Sequence, residues 1–387
     1  MTHPLARQLV PRRQPRSGAR RARGALLALA AVAVCSLCAP LAPARARAEQ
    51  GGSGPAGGAE PAATVIRASA PDAPAPIDAL ALPATMALPA RGPLANAHVR
   101  HLSVGGVERN YLVQPAPGAR GAGRLPVVVL LHGGTQTAEE IWRDTSLPTL
   151  GAREGFLVVA PQALDRHWND AHASLIAGDP ASGVDDVGFL KAVIADVIAQ
   201  DHGDPSAVFM VGAASGGFMT MRFACDAGDT LRAAASIIST LPEALARSCK
   251  SPRPLPWLAI NGSADPLIPF AGQVEGTVRR GEAQAALRSA DDSFRFWADR
   301  AGCVGTPVRQ TLTDPAQDER HRWAERVLRP NCVAGHVSQQ IVLHGSGHVI
   351  PGLPVETRLT ERAVGPGAPE LDGGTLVWSH FRATLLR

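Results

Sequence analysis

Residues 211–217, Val-Gly-Ala-Ala-Ser-Gly-Gly, carry the chain from a strand pattern into a helix pattern with nothing larger than serine after the valine. Ala207-Val208-Phe209-Met210-Val211 is a continuous apolar run, as in strands covered on both faces. A helical pattern follows from Phe218 to Ala224. A buried strand that enters a helix through so short a link must turn sharply. The two backbones then nearly touch, so the residues two before and two after the tip must be tiny. Two frames satisfy this. In Gly212-Ala213-Ala214-Ser215-Gly216 the tip is Ala214, which has no reactive atom. In Ala213-Ala214-Ser215-Gly216-Gly217 the tip is Ser215, a potential nucleophile.

Further strand-like runs lie at Asn110–Gln114, Val127–Leu131, Phe156–Ala160, Trp257–Asn261 and Gln339–Leu343. Helical patterns lie between or after them at Val187–Gln200, Asp291–Ala301 and Leu376–Leu386. Asp185 and Asp186 suit the start of the first of these, where unpaired N–H groups and the helix dipole favour negative charge. Alternating strands and helices predict an α/β fold, with a doubly wound, mostly parallel sheet in a single domain. Ligands of such sheets bind beyond the carboxyl ends of the strands. The loops that follow strands therefore carry the function.

The chain ends narrow the class. Residues 1–48 hold nine arginines, no acid and an apolar run from Ala25 to Leu37. Small-x-small sites follow at Ala44-Arg45-Ala46 and Ala46-Arg47-Ala48, so a secretory signal peptide cleaved before Glu49 is expected. The apolar run is short for a bilayer span of ~20 residues, so no stable membrane insertion is expected after cleavage. The whole chain has 38 Lys+Arg against 34 Asp+Glu; without the nine arginines the balance is 29 against 34, or −5. No basic surface remains to argue for nucleic acid. Residues 49–95, rich in Ala, Pro and Gly, read as a disordered leader, and the folded domain is expected over 96–387. Cys225, Cys249, Cys303 and Cys332 remain after export, and an oxidising compartment favours pairing. Of the three possible pairings, Cys225–Cys249 with Cys303–Cys332 closes two short loops and is preferred over the other two and over free thiols.

Four strand-end loops fall in a telling order. After Val127–Leu131 comes His132-Gly133-Gly134-Thr135-Gln136-Thr137, a glycine-rich way to aim N–H groups at a developing oxyanion. The 211–217 turn is next. After Trp257–Asn261 comes Gly262-Ser263-Ala264-Asp265-Pro266, where Asp265 is fixed before proline and can orient an imidazole. After Gln339–Leu343 comes His344-Gly345-Ser346-Gly347-His348, in which His348 is the candidate general base and His344 reads as structural. Oxyanion loop, elbow, Asp, His is the chain order of an α/β-hydrolase. The oxyanion candidates are Gly134, Thr135 and Gly216.

The segments Leu131 to Thr137, Trp168-Asn169-Asp170, Val184-Asp185-Asp186-Val187-Gly188-Phe189-Leu190, Gly212 to Thr220, Asn261 to Pro269 and Gly345 to Gly352 resemble the secreted polyhydroxybutyrate depolymerase/feruloyl esterase family over roughly residues 98–385. The resemblance implies a Ser-Asp-His ester hydrolase without a cofactor. It places the acid on Asp265 and the base on His348. The family pattern Gly-x-Ser-Asn-Gly-Gly falls on Gly212 to Gly217, so alanine stands at the serine position and Ser215 at the asparagine position. Ile350 stands where the family commonly has tryptophan. Trp168 and Trp142 are candidate substrate contacts.

Three functions follow. The first is a secreted carboxylesterase in which Ser215 attacks, His348 takes its proton and Asp265 fixes the imidazole. Aromatics are only 4% of the chain, which ranks short hydroxyalkanoate esters above feruloyl or acetylxylan esters. The second is a member with a disabled centre at Ala214, natural or substituted, that binds ester or polymer. The third is a metal hydrolase using His98 with His101, or His167 with Asp170 and His172; no zinc-type helix motif accompanies these, so no metal is expected.

Overall fold

The computed structural model describes residues 97–114, 123–170, 183–250, 253–274, 276, 278–279, 282–283, 286–355, 358–368 and 371–386, all in one compact unit that spans 68–387. The expected signal peptide and leader, and His172, lie outside the described residues. The strands are β1 (His98–Val104), β2 (Val107–Gln114), β3 (Leu125–Leu131), β4 (Leu157–Pro161), β5 (Gly203–Ala213), β6 (Ala233–Ile237), β7 (Trp257–Gly262), β8 (Val278–Arg279), β9 (Glu282–Ala283), β10 (Val308–Thr311), β11 (Trp323–Arg329) and β12 (Ser338–His344). All but the β8–β9 pair join one ten-stranded sheet in the order β1-β2-β4-β3-β5-β6-β7-β12-β11-β10. From β4 to β12 the neighbours are parallel. β1 and β2 at one edge, and β11 and β10 at the other, run antiparallel.

The helices are α1 (Ala138–Asp144), α2 (Leu147–Glu154), α3 (Asp186–Gln200), α4 (Ser215–Ala227), α5 (Glu243–Ser248), α6 (Ala290–Arg300), α7 (Arg358–Val364) and α8 (Gly373–Leu385). Successive strand residues point to opposite faces, and both faces are apolar. Val127, Val129, Val208, Met210, Trp257 and Ala259 pack against Phe189 and Val193 of α3, Met221 and Phe223 of α4, and Phe294 and Trp297 of α6. Val128, Leu130, Phe209, Val211, Leu258 and Ile260 pack against Ile141 and Trp142 of α1, Leu150 of α2, and Trp378 and Phe381 of α8. Burial on both sides explains why these strands read as unbroken apolar runs. Asp185 caps α3, its carboxylate accepting from Gly188 N–H at 2.8 Å. Disulfides join Cys225 to Cys249 and Cys303 to Cys332.

The strand order reverses between β3 and β5: β3 passes to β4 on one side, and β5 lies on its other side. The loops after β3 and β5 are therefore neighbours at the carboxyl edge, where such sheets bind ligands.

Candidate active site

The tip of the turn after β5 is Ala214. Its backbone has φ 50° and ψ −117°, while Ala213 ends the strand and Ser215 begins α4. A non-glycine residue at positive φ costs on the order of 1–2 kcal/mol, so the surroundings must impose it. They do so through the glycines of the first frame. A Cβ at Gly212 would lie 2.1 Å from the Gly216 carbonyl oxygen. A Cβ at Gly216 would lie 2.4 Å from the Leu131 oxygen and 2.5 Å from that of His132. Ala214 N–H donates to Ile237 O at 3.0 Å, and the Ser239 hydroxyl donates to Ala214 O. The frame adopted is thus Gly212 to Gly216. Of the two frames the sequence leaves open, the structure adopts the one with Ala214 at the tip; Ser215 is the first residue of α4, and its Oγ donates to Asp170 Oδ2 at 2.8 Å.

Asp265 and His348 meet across the ends of β7 and β12. His348 Nδ1 and Asp265 Oδ2 are 2.7 Å apart. The other carboxylate oxygen accepts from Leu267 N–H at 2.7 Å and Ile268 N–H at 2.8 Å. Four acceptor positions on a carboxylate suffice for both tasks, so the Asp-Pro turn and the ring contact hold one carboxylate at both ends. The two side chains are 2% and 12% exposed, which keeps the pair out of bulk water while leaving one ring edge reachable. Glycines allow the approach: a Cβ at Gly262 would lie 2.3 Å from Gly347 O, and one at Gly347 would lie 2.2 Å from Val364 O. With Nδ1 committed to Asp265, Nε2 is the nitrogen left to exchange a proton.

The loop after β3 lies against the tip. A Cβ at Gly133 would be 3.5 Å from Ala214 Cβ, and one at Gly134 would be 3.7 Å from Ser215 Cβ. Thr135 has φ 64°, and its N–H donates to Arg166 O at 3.2 Å. Thr135 therefore does not offer the free N–H expected of it. Gly216 is buried inside the first turn of α4, so the N–H that follows the tip is that of Ser215 instead. Neither Gly134 N–H nor Ser215 N–H meets an acceptor among the described residues.

Trp142 and Trp168 are each 0% exposed, so neither presents a face to substrate. Trp142 fills the core under α1, and Trp168 donates its indole N–H to His132 O at 2.9 Å. The Trp168–Asp170 segment is instead a brace. Asn169 N–H donates to the buried Asp186 carboxylate at 2.8 Å, and Arg109 donates to the same carboxylate at 2.7 Å. Asp170 then receives Ser215. His98 and His101 sit three apart on exposed β1, so their side chains leave opposite faces of the strand. Ser239 and the ring of His132 were not singled out by sequence. No local signal marks Ser239, which reaches Ala214 O because Ile238 turns the chain at φ 49°.

An elbow after β5, an acid after β7 and an imidazole after β12, on a sheet whose order reverses at β3 and β5, define an α/β-hydrolase. The family model described as Esterase PHB depolymerase matches residues 110–247. A protein named "Putative esterase NocK" from Nocardia uniformis subsp. tsuyamanensis is 29% identical over 76% of this chain and 85% of its own length. "Feruloyl esterase B" of Piromyces equi is 24% identical over 62% of this chain and 42% of itself. "Poly(3-hydroxyalkanoate) depolymerase C" of Paucimonas lemoignei is 33% identical over 29% of this chain and 27% of itself. The chain thus spans most of the first relative but less than half of the other two. The chain is similar to polyhydroxybutyrate depolymerases and feruloyl esterases, and these matches support a carboxylic ester hydrolase.

Proposed function

We propose that this chain binds a carboxylic ester in the family manner and hydrolyses it slowly, without an acyl-enzyme, because its elbow has no nucleophile. His348, braced by Asp265, takes a proton from water at the face of Ala214. That water attacks the carbonyl carbon, and the oxyanion is held by Gly134 and Ser215 N–H. His348 then returns the proton to the departing alcohol. The carrying observation is the φ 50°, ψ −117° backbone of Ala214 at the tip, in the frame closed by Gly212 and Gly216. Serine hydrolases stripped of a triad member retain roughly 10³–10⁴-fold catalysis over water from the oxyanion hole and binding.

Short hydroxyalkanoate esters are the first substrate class to try, with feruloyl and acetylxylan esters second. The arginine-rich start of the chain and the two disulfides support export. Hydrolysis of p-nitrophenyl butyrate by the purified mature chain tests the reading. Ala214→Ser is expected to raise kcat by up to about 10⁶-fold, the factor lost when such an enzyme is stripped of its nucleophile. Ser215→Ala is expected to leave the wild-type rate of the same order. A wild-type rate that vanishes in Ser215→Ala, or an inert Ala214→Ser, overturns it.

A further inference from the structure

The ring of His132 is 0% exposed, with Ala163 N–H and the Gln162 side-chain amide at Nε2, the latter at 3.3 Å, and the Gly133 carbonyl at Nδ1. Nε2 receives the Ala163 backbone N–H at 3.0 Å. An N–H can donate only to an unprotonated ring nitrogen, so Nε2 carries no proton and the ring is neutral with its hydrogen on Nδ1. Nδ1 lies 2.8 Å from Gly133 O, so the hydrogen points at that carbonyl. Burial agrees, pushing the imidazole from its ordinary 6.5 down to about 4. Trp168 holds the backbone oxygen of His132 from the other side.

Gly133 O and Gly134 N–H belong to one planar trans peptide and point in opposite directions. Whatever holds the oxygen inward turns the N–H outward. The turn lies against this peptide: a Cβ at Gly133 would sit 3.5 Å from Ala214 Cβ and one at Gly134 3.7 Å from Ser215 Cβ. Gln136 N–H also donates to Gly133 O, at 3.2 Å, but it belongs to the same exposed loop. The ring of His132 ties the peptide to the core through β4, because Ala163 follows that strand.

We propose that His132 is the positioning residue of the oxyanion loop: its Nδ1–H tautomer, set by Ala163 N–H, orients the Gly133–Gly134 peptide so that Gly134 N–H faces the same space as Ser215 N–H. This rests on the reading of the site as ester-binding, with Gly134 and Ser215 as oxyanion donors. The ring touches no substrate; it acts through the peptide.

The test uses two substitutions in the Ala214→Ser background. His132→Gln keeps an acceptor near the Nε2 position and loses the donor to Gly133. His132→Asn places an amide N–H near the Nδ1 position. His132→Gln is expected to lower kcat at least about tenfold with KM within about twofold, short of the 10²–10³ for outright loss of an oxyanion donor. His132→Asn recovers most of that loss. Equal losses in both, or a rise in KM at constant kcat, overturn the proposal. If Ala214→Ser is itself inert, the ester-hydrolase reading fails and a second measurement still judges His132. Long-range ¹H–¹⁵N correlation of the wild-type histidine rings at pH 7 is expected to show protonated Nδ1 and bare Nε2 for His132. The opposite tautomer overturns the proposal whatever the activities, and whether or not the variants fold.

Discussion

Gly216→Ala is the perturbation that most sharply separates the frame centred on Ala214 from the one centred on Ser215. A Cβ there would lie 2.4 Å from Leu131 O and 2.5 Å from His132 O. Both are backbone atoms of β3 and the loop after it, so neither can rotate away. Ordinary contact needs roughly 3.3 Å, so α4 must retreat from β3 by about 0.9 Å, in a layer packed as tightly as a crystal. Overpacking of this kind costs about 3 kcal/mol. For a domain of this size that is a fall in Tm of about 6 °C. Gly134→Ala is the control: its nearest neighbour would be Ser215 Cβ at 3.7 Å, so the change should stay within about 0.5 kcal/mol. Urea unfolding followed by circular dichroism measures both. In the frame centred on Ser215, the tight glycine would be Gly217, whose closest obstacle is the Ser239 side chain. A Gly216→Ala protein as stable as Gly134→Ala refutes the packing argument.

Two other outcomes follow from buried charge. His132 falls to about 4 and His380 to about 3, each chiefly through burial. Both are neutral in the fold and take a proton near 6.5 when unfolded. Their contribution is complete above pH 6.5 and is lost as pH falls to 4 for His132 and to 3 for His380. For His132 the loss is about 3 kcal/mol. Melting temperatures should drop between pH 6.5 and 4, and His132→Asn should flatten part of that drop; identical pH profiles would contradict it. Arg109→Leu strands the Asp186 carboxylate, which is 0% exposed, without its counter-charge. A destabilisation of about 3 kcal/mol or more is expected in urea, and a value below about 1 kcal/mol would show that the pair is not what holds the Asn169 brace.

The central strands were legible because they are covered on both faces: Val127–Leu131 and Trp257–Asn261 are apolar throughout, and the sheet uses them so. β6, Ala-Ala-Ala-Ser-Ile, was not, since alanine has little strand preference and its burial comes from neighbours distant in sequence. β1, β10 and β11 lie toward the sheet edges, where the pattern is polar and weak. Loop chemistry and chain order pointed to Asp265 and His348, and the structure brings the two within 2.7 Å. The choice between Ala214 and Ser215 was not legible. It depends in part on Gly216 meeting the Leu131 and His132 carbonyl oxygens, about 85 residues earlier in the chain, which no local spacing encodes. The two tryptophans misled for the same reason, as a tryptophan beside a site loop looks alike in sequence whether it faces substrate or core.

The identity of the tip is tested most directly by a fluorophosphonate, which marks an activated serine and nothing else in such a site. Peptide mass mapping should find no adduct on the wild-type chain. In Ala214→Ser it should find one adduct, at the substituted position. An adduct on Ser215 of the wild-type protein would contradict the account.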